Sequence, residues 1–102
     1  MSEFLKAALA DEIPAGHVKL VELNGKEIAI FNVDGSFHAI DNMCSHVGGP
    51  LSEGMLSGCE VTCPWHGAVF DVTTGEALGP PAGSSVTRYN LKIDGANIEI
   101  EV

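Results

Sequence analysis

Four residues of this chain have the types and spacing to hold a metal. Cys44-Ser45-His46 forms one close pair of donors and Cys63-Pro64-Trp65-His66 a second, with sixteen residues between His46 and Cys63. Thiolate and imidazole are soft or borderline ligands, and chance seldom places two such pairs in one short chain. A structural zinc site is one reading. Zinc fingers, however, usually group like with like, two Cys and then two His. Here each segment carries one Cys and one His. If the two segments face each other, the cysteines can meet at one point and the histidines at another. That suits two iron atoms, one held by Cys44 and Cys63 and the other by His46 and His66.

The residues beside these donors agree. Gly48 and Gly49 follow the first pair and Gly67 follows the second. Glycine lets backbone amides come close to bridging sulfides, which accept hydrogen bonds. Pro64 stiffens the second segment. The remaining donors receive no role. Cys59 reads as a free thiol in a hairpin around Gly58, His38 as a strand residue, and His17 as a surface residue beside Gly16. Trp65 fits three readings: ordinary packing, shielding of the metal centre, or contact with a partner.

The elements that must position these donors read as all-β. Val18 to Leu23 and Glu27 to Asn32 flank Asn24-Gly25, a hairpin signal because both turn positions need positive φ. Ile28 and Ile30 share one face of the second run. Asp34-Gly35 leads into Phe37 to Ile40, and Asp94-Gly95 joins Val86–Ile93 to Ile98–Val102. This spacing predicts an antiparallel sandwich or partly open barrel. The only helical candidate is Leu5 to Ala10, followed by a turn. The stretch from Met43 to Pro81 differs in texture. It is rich in Gly and Pro and holds every cysteine, as expected of loops that carry function.

Composition bounds the answer further. The chain has 102 residues, 45% of them hydrophobic, which fits one domain with a limited core that a metal centre would help to staple. Its formal charge is -9, from 14 acidic residues against five Lys and Arg. No Lys or Arg lies between Lys26 and Arg88, a stretch holding Glu27, Asp34, Asp41, Glu53, Glu60, Asp71 and Glu76. Nucleic acid and anionic membranes would be repelled. A solvated acidic surface accounts for this charge, and so does steering toward a basic partner. Three cysteines, an odd count, argue against a disulfide framework. The opening residues show no secretory pattern, and no apolar stretch approaches the ~20 residues that cross a membrane. A soluble, cytoplasmic protein is the expectation.

The two donor segments resemble the cluster-binding motifs of Rieske proteins. Cys44-Ser45-His46-Val47-Gly48-Gly49-Pro50-Leu51 and Cys63-Pro64-Trp65-His66-Gly67-Ala68-Val69-Phe70 carry the likeness. Ile40-Asp41-Asn42, Leu51-Ser52-Glu53-Gly54 and Phe70-Asp71-Val72-Thr73-Thr74-Gly75 extend it to stand-alone Rieske ferredoxins. It covers essentially the whole chain and is strongest from Phe37 to Gly83. The resemblance implies a single Rieske domain over 1–102, with antiparallel β-sheets and a two-loop cluster-binding subdomain at about 42–82. It implies one [2Fe–2S] cluster on Cys44, His46, Cys63 and His66. A third segment containing Gly79-Pro80-Pro81 is similar to the one that covers the cluster.

High-potential respiratory members carry a loop disulfide, and here the matching positions are Gly49 and Trp65. They also place Ser and Tyr hydroxyls on the cluster sulfurs, where this chain has Ala68 and Phe70. Each donor to a sulfur favours the reduced, more negative state, so their loss lowers the potential. The Rieske range spans about −150 to +300 mV, and this chain belongs toward its lower end.

The implied function is one-electron transfer. The implied partners are a flavin-dependent reductase and a terminal oxygenase, often one hydroxylating aromatic rings, docking near His46 and His66. No nucleophile or substrate pocket is legible, so the chain is read as an electron-transfer component and not an enzyme. Two rivals are the small subunit of an assimilatory nitrite reductase and, from another class, a zinc-stapled binding module.

Overall fold

Asn24 and Gly25 take φ of 52° and 78°, the paired left-handed values of a type I′ turn. That turn joins β2 (Val18–Leu23) to β3 (Lys26–Val33), with Leu23 opposite Lys26. Asp34 and Gly35, at 50° and 92°, repeat the device between β3 and β4 (Ser36–Asp41). The computed structural model of the chain describes residues 3–43, 50–65, 67–78 and 85–102.

The remaining strands are β1 (Phe4–Leu9), β5 (Met55–Ser57), β6 (Glu60–Thr62), β7 (Val69–Asp71), β8 (Arg88–Tyr89), β9 (Leu91–Asp94) and β10 (Asn97–Glu101). Among the described residues the strands form three antiparallel sheets, ordered β1-β10-β9, β2-β3-β4-β8 and β5-β6-β7. Short 3-10 turns at Ala10–Glu12 and Leu51–Glu53 interrupt them. Among the described residues no helix is long and apolar enough to cross a membrane.

Two sequence expectations are corrected. Leu5 to Ala10 is not helical: Phe4–Leu9 is a strand, paired with β10 from Phe4↔Glu101 to Leu9↔Asn97. A helix of six residues would be marginal alone, whereas the β10 edge satisfies this backbone directly. An irregularity between Lys6 and Ala8 shifts the register, which is why the segment does not alternate cleanly. The expected strand Val86–Ile93 is split. Tyr89 pairs with Ala39 in one sheet and Leu91 with Ile100 in another. Asn90 sits at the break and its carbonyl accepts the Glu101 N–H at 2.9 Å.

β3 is buried on both faces, and its two faces serve different cores. Ile28 and Ile30 pack with Ala8, Ile13, Ala39, Tyr89, Ile98 and Ile100. Ala29 and Phe31 pack with Ile40, Leu51, Val61, Cys63, Ala68, Phe70, Val72 and Val86. The alternation of side chains along one strand therefore divides the interior into two. The second core lies against β5-β6-β7 and holds a candidate ligand.

Candidate metal centre

Cys63 closes β6 and enters a tight turn made by its own backbone. Its N–H donates to the Ala68 carbonyl at 2.7 Å, and its carbonyl accepts the Gly67 N–H at 3.2 Å. Gly67 has φ of 76°, and nothing lies within 4 Å of where its Cβ would be. The turn needs a residue at ease in the left-handed region, with an open face. Cys63 is 1% exposed and free of any disulfide. A cleft of about 460 Å³ opens beside it, lined by Pro64, Gly67, Met55 and Glu53 among others. A buried thiol with its backbone satisfied and a cleft at its side fits a ligand of a soft metal centre.

Of the other predicted ligands, Cys44, His46 and His66 lie outside the described residues, as do Gly48, Gly49 and Gly79-Pro80-Pro81. The structure does describe what holds the ends of those segments. Met43 and Pro50 form an antiparallel bridge that closes the first one. Gly54 then meets the second: a Cβ there would stand 2.3 Å from the Thr62 carbonyl oxygen. Only glycine allows the chain leaving the first segment to lie against the strand entering the second. Leu51 and Cys63 accordingly share one core. The third segment is pinned by Leu78 N–H to the Val69 carbonyl at 2.9 Å and Ala77 N–H to Ser85 Oγ at 3.3 Å.

Ala68 and Phe70 are fully buried in the same core as Cys63 and bring no hydroxyl to it. Trp65 is 59% exposed, which removes ordinary packing from its three readings. Cys59 is exposed in the β5–β6 turn, as expected of a free thiol, and His17 is exposed. His38 is half-buried on β4. Burial pushes its pKa down, as Arg88 does, against an opposing pull from Asp71.

Charge is distributed unevenly. All five cations sit on the first two sheets: Lys6 on β1, Lys19 on β2, Lys26 on β3, Arg88 on β8 and Lys92 on β9. Lys19 pairs with Glu12 and Lys92 with Glu99, each at 3.6 Å. The part of the chain from 50 to 78 carries Glu53, Glu60, Asp71 and Glu76 and no cation.

Sequence reasoning missed Asn42 and its partners. Asn42 is 3% exposed, and its side chain binds Ser52 and Glu27. The only signal was its place before the first donor pair.

Comparison with known proteins agrees with this geometry. The Rieske [2Fe-2S] domain family matches residues 3–90. The ferredoxin component of the naphthalene 1,2-dioxygenase/salicylate 5-hydroxylase systems of a Ralstonia species is 40% identical over 99 residues, covering 97% of this chain and 95% of that protein. Among solved structures, the ferredoxin of carbazole 1,9a-dioxygenase from Nocardioides aromaticivorans IC177 superposes with a TM-score of 0.91 at 29% identity, over 95% of each chain. A ferredoxin chain in a complex of reduced oxygenase and oxidised ferredoxin of carbazole 1,9a-dioxygenase gives 0.90 at 28% identity, over 95% of this chain and 91% of that one.

Proposed function

This chain belongs to the Rieske [2Fe-2S] family, and from that premise we propose a cytoplasmic, low-potential ferredoxin that passes single electrons from a flavin-dependent reductase to a terminal ring-hydroxylating oxygenase. Cys44, His46, Cys63 and His66 hold the cluster, in a two-loop subdomain at about 42–82 of a single domain. When bound, the cluster supplies a one-electron couple. Everything else is done by this chain's own residues. Cys63 contributes a thiolate from the base of the site, with its backbone fixed by Ala68 and Gly67. His46 and His66 would supply the imidazole ligands, and the partner would dock near them. Ala68 and Phe70 keep the surroundings of Cys63 apolar and add no hydroxyl donor. Fewer donors to sulfur disfavour the added negative charge, which sets the potential low.

The observation that carries this reading is the burial of Cys63 in an apolar core beside an open cleft, in a chain whose relatives are ferredoxin components nearly end to end. The uneven charge supports docking by the acidic end to a basic surface, with cations kept on the far sheets. The nitrite reductase and zinc-module readings are not favoured by these relatives.

Stopped-flow mixing tests the proposal. The protein should be reduced by a flavin-dependent oxygenase-system reductase and reoxidised by the oxygenase, with both rates falling as salt rises. A protein that accepts electrons but cannot pass them to the oxygenase would overturn the assignment. Rates indifferent to salt would overturn the electrostatic docking alone.

A further inference from the structure

We infer that Asn42 is a positioning residue for the first ligand segment, and that Glu27 of β3 holds it in that role. The inference rests on the reading of Cys44 and His46 as ligands, but it concerns residues that touch no metal.

Asn42 and Asn32 are the buried polar residues among those described. Asn42 makes four hydrogen bonds through its backbone and side chain, and the partners divide between two sides. On the side of β3, its backbone N–H donates to the Glu27 carbonyl at 3.0 Å, and Nδ2 donates to Glu27 Oε1 at 3.3 Å. On the far side of the segment, its carbonyl accepts the Leu51 N–H at 2.6 Å and Oδ1 accepts the Ser52 N–H at 2.8 Å. One side chain therefore ties both ends of 43–50 to each other and to the sheet. The second ligand turn needs no such side chain, because Cys63, Gly67 and Ala68 close it with backbone alone.

The chemistry of an amide is required. Oδ1 must accept from Ser52 while Nδ2 donates to a carboxylate. Aspartate keeps the first bond, loses the second, and faces the Glu27 carboxylate with like charge across a part-buried contact. Residues that orient metal ligands commonly change metal retention by about 10–100-fold when altered. A glutamine at 27 would supply the missing donor to an aspartate at 42, so the pair can be exchanged.

The test uses the full chain, measuring iron per chain, the rate of cluster loss to a chelator, and reduced-state g values. Asn42→Asp should lose its cluster at least about tenfold faster and shift the g values. Glu27→Gln alone should be mild, since its Oε1 still accepts. The double variant Asn42→Asp with Glu27→Gln should restore both readouts. Asn32→Asp is the matched control. Asn32 is also buried, with Nδ2 donating to the Ile13 carbonyl at 2.7 Å and Oδ1 accepting from Gly35 N–H at 2.7 Å, and is distant in sequence from either ligand pair. It should lower stability and leave the g values unchanged. Equal effects at both asparagines, or an Asn42→Asp protein with wild-type spectrum and retention, would overturn the inference. A wild-type chain that takes up no [2Fe–2S] cluster would instead overturn the proposed function.

Discussion

The two faces of β3 bury side chains of similar character for different ends. Ile28 and Ile30 enter a core closed by Ile98 and Ile100 of β10, with Tyr89 at its edge. Ala29 and Phe31 enter one whose far wall is Leu51, Val61, Cys63, Ala68 and Phe70. The first holds no candidate ligand and is walled by longer strands. The second is walled by strands of three residues each and by the bases of the ligand segments. On the proposed ligand set, one core serves the fold and the other serves the cluster. Strands of three residues contribute little stability alone, so on the proposed ligand set the second core should depend on the metal as the first does not.

The strongest way to break the comparison is to remove the proposed ligand from the second core. Cys63→Ala should abolish the visible absorption of the cluster. Amide protection should fall sharply in β5-β6-β7 and persist in β3 and β10, read by hydrogen exchange. Uniform loss of protection would show that the cores are not separable. A paired truncation sharpens the point. Phe70→Ala should cost about 3–5 kcal/mol and Ile98→Ala about 2–5 kcal/mol in chemical unfolding. Only Phe70→Ala should also speed the loss of cluster.

The smallest expected effect is on pH dependence, through Tyr89 of the first core. Its hydroxyl donates to Asp41 Oδ1 at 2.7 Å, and burial together with that carboxylate pushes its pKa up to about 12. A phenol held protonated in the fold but ionising near 10 when unfolded stabilises fully below pH 10. That contribution is lost as pH rises from about 10 to 12. Tyr89→Phe should flatten this alkaline loss while leaving the cluster spectrum at neutral pH unchanged.

The strand faces of the first core were largely legible from sequence; of the second, the motif that holds Cys63 was legible and the packing around it was not. Asn24-Gly25 and Asp34-Gly35 announce their turns because few residues tolerate positive φ, and the alternation of Ile28 and Ile30 follows from strand geometry. Phe4–Leu9 was misread because its strand state comes from β10, nearly the whole chain away. Cys63 was legible from its motif, but its burial was not. Gly54 looked like any loop glycine until Thr62 lay against it. Asn42 escaped because its partners Glu27, Leu51 and Ser52 are brought to it by folding. Local chemistry is written in short stretches, whereas closeness between distant segments is not.

The most direct test of the central claim is reduced-state EPR of the iron-loaded protein, with spins counted against iron. A mixed Cys and His cluster predicts one unpaired spin for every two irons, in a rhombic signal of low average g. A colourless protein holding zinc, or a reduced protein without that signal, would contradict it.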